Sequence, residues 1–303
     1  MIKNLYLCCQ KAITTEPQKH AKNTFFCGCK KKMSQYNNIK NWVEDLPKRG
    51  KTTFSKEDAT LQFPNLSNRN IQDSLHRLIS KNKIYSVWQG FYAIVLPEYG
   101  LRGIVPPMEY IDQLMRFLGK DYYVALLSAA ELHGAAHQAP QEFYVMCNTT
   151  KLRSKLKNGV KINFIAKKNI PQEHCSKVMT KSGYVDISNP ILTAYDLIYY
   201  TKNVGGISRI GTIINELAEK IRFIDVDKGF MQSFPSAATQ RLGYIFEELE
   251  FVELADKLYR KAEIARLNFR KTPLVIENHK EDLSNYPVND RWKIIINEQI
   301  EID

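Results

Sequence analysis

The sequence predicts an α+β protein, and three observations carry that prediction. Helical and strand-like periodicities both occur, they do not follow the strict strand–helix alternation of a parallel doubly wound sheet, and the first third of the chain ends in a switch from period 3.6 to period 2. At 303 residues the chain has room for about two domains. With 44% hydrophobic and 25% charged residues it has the composition of a soluble globular protein. No apolar run approaches the ~18 residues of a spanning helix, and MIKNLYLCCQK has too short an apolar patch for a secretory leader. A cytoplasmic protein without a membrane partner is expected.

Residues 1–33 hold seven lysines against Glu16, show no periodicity and lead into Met33, so they are expected to be a disordered or mis-started basic prefix. From Tyr36 the pattern becomes helical, with Ile39, Trp42, Val43 and Leu46 on one face and Pro47 and Gly50 ending the run. Ser55-Lys56-Glu57-Asp58 signals the start of a second helix, because a serine can cap the orphan amides and acidic residues suit the positive helix end. A third helix starts at Ser67 or Asn68 and aligns Ile71, Leu75, Leu78 and Ile79. Two β-rich runs, KIYSVW and FYAIV, then flank Gln89-Gly90, where glycine can take the positive φ of a tight hairpin.

Three short helices followed by a hairpin make a winged helix-turn-helix, expected over 34–97. With its apolar face turned inward, the third helix presents Ser67, Asn68, Arg69, Asn70, Gln72, Asp73 and Arg77. Arginine can bridge the major-groove edge of guanine, and asparagine or glutamine that of adenine, so these are residue types that read bases. Lys81, Lys83 and Gln89 lie on or beside the wing, and Lys48, Arg49 and Lys51 in an earlier turn suit phosphates, which carry no sequence information. This segment has nine basic against five acidic residues. A second basic stretch, 151–181, has nine basic residues against Glu173, with Lys151, Arg153, Lys155, Lys157 and Lys161 as a possible further patch.

Residues 98–107, with Gly100, Gly103, Pro106 and Pro107, are read as a linker, and 108–303 as a larger mixed α/β domain. There the patterning predicts a helix over 109–118, one buried helix over 122–134, strands at 142–147, 160–166 and 183–187, and a helical pair at 192–201 and 207–221. Two further helices are expected at 237–249 and 251–270, and late strands at 274–277 and 292–297. No complete catalytic constellation is present in the sequence pattern. His133 and His137 have zinc-ligand spacing, but Gly134 and Pro140 interrupt the helix and no carboxylate lies between them. Asp225-Val226-Asp227 lacks the upstream Gly-Ser turn of a nucleotidyltransferase, and in Glu277-Asn278-His279-Lys280 the lysine falls one residue late for a nuclease. The six cysteines, Cys8, Cys9, Cys27, Cys29, Cys147 and Cys175, form neither a disulfide framework nor a CxxC pair. No enzyme, metal or cofactor is expected.

The segments GFYAIVLPEYG (90–100), PPMEYIDQLM (106–115), YYVALLSAAELHGAAHQAPQEFYVM (122–146), NPILTAYDLIYYTKNVGGISRIGTIINEL (189–217) and QRLGYIF (240–246) together resemble AbiEi-type antitoxins of bacterial abortive-infection, or phage-defence, toxin–antitoxin systems. The resemblance runs from about Met33 to the end and is strongest in LSAAELHGAAHQAP. It implies a transcriptional repressor whose winged helix binds inverted repeats in double-stranded DNA of its own promoter. The C-terminal domain would counteract a cognate nucleotidyltransferase-like toxin in the type IV manner, without necessarily forming a stable complex. Two other readings stand beside it: a DNA-targeted nuclease or nucleotidyl-transferring enzyme, and a protein-binding module that holds the toxin tightly.

Overall fold

The computed structural model describes residues 36–101, 103–135, 142–157, 160–276 and 282–302. The prefix with its four cysteines, His137 and the run 277–280 lie outside them. Helix α1 (Ile39–Asp45) starts on Asn38, whose side chain accepts from the Asn41 amide. Strand β1 (Thr53–Ser55) follows, three residues that no periodicity announced. Ser55 ends that strand and caps α2 (Lys56–Gln62) in a reciprocal box: the Asp58 amide donates to its hydroxyl at 3.0 Å and its own amide donates to the Asp58 carboxylate at 2.7 Å. Helix α3 (Asn68–Ser80) is capped by Ser67, and β2 (Ile84–Trp88) and β3 (Phe91–Ile94) turn at Gln89-Gly90, with Gly90 at φ 75°. The three strands are antiparallel in the order β1-β3-β2, which is the topology of a winged helix.

Alternation along the hairpin sends its two faces into two different cores. Ile84 and Ile94 join Trp42, Val43, Phe54, Ile71, Leu75 and Leu78 under the helices. Tyr85, Val87, Phe91 and Ala93 face the opposite way and pack against α4 (Ile111–Leu118) and the central sheet. The stretch 98–107 takes part in this contact, since Val105 is buried in the same cluster and Tyr99 packs on it.

The central sheet uses β4 (Tyr122–Val124), then α5 (Leu126–Leu132), β5 (Glu142–Cys147), β6 (Lys155–Lys157), β7 (Val160–Ala166), β8 (Cys175–Thr180) and β9 (Gly183–Ser188). Its order is β6-β7-β5-β4-β9-β8, with β5–β7 and β4–β9 parallel and the other pairs antiparallel. Tyr122, Val124, Val145, Cys147, Ile162 and Phe164 lie on the face covered by the hairpin and α4; Tyr123, Tyr144 and Met146 lie on the other. That second face is covered by α5 and a helical layer of α6 (Pro190–Tyr199), α7 (Ile207–Leu217), α8 (Lys228–Gln232), α9 (Ser236–Glu248) and α10 (Val252–Ile264). A small sheet of β10 (Thr272–Pro273), β11 (Val288–Asn289) and β12 (Ile294–Ile295) closes the described chain.

Several elements differ from expectation. The single buried helix expected over 122–134 is a strand followed by a helix: Tyr122-Tyr123-Val124 suits a central strand, and Leu126, the first residue of α5, turns the chain at φ 51°. Gly134, at φ 69°, does stop that helix. The helix expected over 251–270 ends at Ile264. The described residues of the strand expected at 274–277 form none, Leu274 and Val275 being bent, and the strand lies just before them at Thr272–Pro273; that at 292–297 shrinks to Ile294–Ile295. Asp225-Val226-Asp227 leads into α8, whose first amides Asp227 caps through Phe230 N at 2.7 Å.

Candidate nucleic-acid interface

Helix α3 divides cleanly. Ile71, Leu75 and Leu78 are buried, with Ile79 packed beside them, while Ser67, Asn68, Arg69, Asn70, Gln72, Asp73 and Arg77 are all exposed. At 100° per residue, Arg69, Gln72, Asp73, His76, Arg77 and Ser80 form one solvent-facing stripe, and at 1.5 Å per residue the two arginines are about 12 Å apart along the axis. His76 and Ser80 were not singled out from the sequence, although seven- and eleven-residue spacing from Arg69 is the signal that places them. Among the described residues neither Arg69 nor Arg77 makes an ion pair, not even with Asp73 one turn away, so both guanidiniums are available to a ligand.

The cationic turn after α1 is differently committed. Asp45 accepts from the Tyr36 hydroxyl at 2.6 Å and from Arg49 Nε at 2.8 Å, and Lys48 lies 3.9 Å away. These contacts, the Tyr36 hydrogen bond foremost, hold the Asp45 carboxyl below the usual aspartate range. Arg49 also lies over the Tyr36 ring at 5.4 Å. Lys51, Lys81, Lys83 and Gln89 are exposed. The hairpin tip has company, however: a Cβ built on Gly90 would meet Lys56 and the Phe117 ring of α4, both at 4.0 Å.

In the second basic stretch several charges have internal partners. Lys155 donates to the Val87 carbonyl at 3.0 Å and lies 4.4 Å over the Trp88 ring, which ties the edge of the central sheet to the wing. Lys161 pairs with Glu142 at 2.7 Å, in a cluster with Asn163 and the Tyr144 hydroxyl that holds the Glu142 carboxyl low. Lys167 pairs with buried Asp196, and Lys181 with Glu98. Lys151 and Arg153 are exposed; the Lys157 side chain lies outside the described set. Among the described residues no three His, Cys, Asp or Glu side chains converge as a metal site, and no helix is long and apolar enough to cross a membrane.

Elements and surface together define a winged-helix topology, with an exposed polar recognition-type helix, built onto an α+β body. Within that body, residues 123–248 match the family model of the AbiEi antitoxin C-terminal domain, so this part of the chain is an antitoxin domain of the AbiEi type. No curated protein matches the chain. Among solved structures, the RV2827C protein from Mycobacterium tuberculosis superposes with a TM-score of 0.60 at 13% identity, over 84% of this chain and 89% of that one. At that identity the likeness is one of fold.

Proposed function

We propose that this chain is a cytoplasmic, non-enzymatic antitoxin that also represses its own operon. In this division of labour 34–97 binds inverted repeats in promoter DNA, 98–107 connects, and 108–303 counteracts a nucleotidyltransferase-like toxin without requiring a lasting complex. The AbiEi antitoxin domain supports the second role. The observation that carries the first is the stripe on α3, where two unpaired arginines frame Gln72, Asp73 and His76 on a face free of apolar residues.

In the major groove, Arg69, Asn70, Gln72 and Arg77 would meet base edges, while Lys48, Arg49, Lys51, Lys81 and Lys83 neutralise phosphates. The test is a titration of the purified protein against DNA from upstream of its gene, with scrambled DNA as control, at two salt concentrations. If roughly six phosphates are neutralised, affinity falls about a thousandfold between about 50 and 200 mM salt. Arg69→Ala combined with Arg77→Ala is expected to abolish discrimination between the two DNAs with unchanged circular dichroism; equal affinity of the variant and parent for the operator sinks the placement. Toxin rescue on co-expression without co-purification supports the antitoxin mode, whereas a stoichiometric complex would favour the tight-binding module.

A further inference from the structure

Where β7 ends, the body opens a cavity of about 440 Å³, within the ~300–1,000 Å³ that small-ligand sites occupy. Four rings form its walls: Tyr199 and Tyr200 at the end of α6, and Phe230 and Phe234 in and just after α8. Tyr199 is edge-on to Tyr200 at 4.8 Å and to Phe234 at 6.2 Å, and Tyr195 backs both phenylalanines from 5.2 and 4.8 Å. Lys167 also lines the cavity, its ammonium 4.6 Å from the Phe234 centroid. Asp196 Oδ1 accepts from it at 2.9 Å and the Tyr123 hydroxyl at 2.8 Å, while that hydroxyl donates to Asp196 Oδ2 at 2.8 Å. The Asp196 side chain is fully buried.

A buried ion pair is a poor device for stability alone, because desolvation offsets its attraction. Here it fixes an ammonium beside an aromatic slot and neutralises its charge. A lysine has three donors, and Asp196 and Tyr123 take two of them. The third can meet an oxygen or ring nitrogen on the edge of a flat ligand that stacks on the rings. Lys168, exposed, in the lining of the same cavity and without an ion pair among the described residues, supplies a positive charge, and Glu173, elsewhere in the lining, disfavours a polyphosphate tail. We infer that this cavity binds one nucleobase together with its single phosphate, presented either as a free nucleoside monophosphate or as an unpaired base of a strand. The site is independent of α3.

The test uses the full chain carrying Arg69→Ala and Arg77→Ala, so that α3 adds nothing and a negative result leaves the operator reading untouched. Calorimetric titrations with AMP and UMP, and with single-stranded hexathymidylate, are expected to show saturable binding of at least one. Binding of the monophosphates identifies a free nucleotide, and binding of the oligonucleotide alone identifies a strand; either supports the site. Tyr199 is 51% exposed, so Tyr199→Ala should leave the melting temperature unchanged while weakening that binding about tenfold. Lys168→Glu should erase the preference for AMP over adenosine, or in the strand case weaken the oligonucleotide. No binding by any probe, or binding that Tyr199→Ala leaves intact, overturns the proposal.

Discussion

His133 and His174 show how single residues set the pH response of this fold. His174 is 1% exposed, its ring tilted 41° against that of Phe230 at 4.2 Å, and its Nδ1 has no hydrogen-bond partner among the described residues. Burial pushes its pKa down, against the opposing pull of Glu173, Asp225 and Asp227. His133 is pushed down by burial too, and its Nε2 donates to the Ser188 carbonyl at 2.7 Å. A group whose pKa is lower folded than unfolded binds fewer protons in the fold, so stability is present above the unfolded value near 6.5 and is lost as pH falls below it. A single histidine can contribute at most about 1.4 kcal/mol of such loss per pH unit. The melting temperature should therefore drop between pH 7 and pH 5.5, and His174→Phe should flatten that drop; an identical pH profile for the variant would mean that His174 does not titrate across folding. The outward set on α3 was legible because helical spacing alone assigns its faces. The internal partners of Lys155 and Lys167 were not, since a lysine bound to a carbonyl or aspartate far along the chain looks like any other surface charge.

Among the elements, α9 and the small terminal sheet depend on one close approach. A Cβ on Gly243 would fall 2.2 Å from the Trp292 ring, which is completely buried between Tyr259 at 5.3 Å and Phe269 at 5.8 Å. Gln240, one turn earlier, fixes the same segment by donating to the Trp292 carbonyl at 2.6 Å. Gly243→Ala, although it favours the helix by propensity, is expected to cost about 1–3 kcal/mol through overpacking. Denaturant midpoints measure this, and Trp292→Leu in the Gly243→Ala background should recover part of the loss. A midpoint that rises with Gly243→Ala would show that α9 can shift without penalty. Nothing in QRLGYIF marks that glycine as a seat for an indole forty-nine residues later, so its role lay beyond sequence patterning. Strands with a partner of matching length, such as β5 and β7, were legible at their true bounds. Edge strands β1 and β6, three residues each, were too short to stand out, six-residue β8 has two adjacent polar and two adjacent apolar residues where alternation is expected, and β4 was absorbed into the apolar run that continues as α5.

For the molecule from Tyr36 onward, the hairpin is the shared part. Its Ile84 and Ile94 complete the core beneath α1 and α3, while Tyr85, Val87, Phe91 and Ala93 complete the core between α4 and the central sheet. Phe91 lies 5.2 Å from Phe117, Trp88 is edge-on to Phe164 at 6.0 Å, and Lys155 closes the contact at Val87. A wing in this position is a structural joint, and readout of DNA would fall mainly to α3. Exposing Tyr85, Val87 and Phe91 alone forfeits roughly 5–8 kcal/mol of apolar burial, comparable to the ~5–15 kcal/mol of net stability that a whole domain possesses. An isolated 34–97 fragment should therefore fail to fold cooperatively, giving poorly dispersed amide resonances and a broad thermal transition. The full chain should instead lose Trp42 and Trp88 fluorescence signals, read in single-tryptophan variants, at one shared denaturant midpoint. A fragment with a sharp transition of its own, or two separated midpoints in the full chain, would show that the two cores are not coupled through the hairpin.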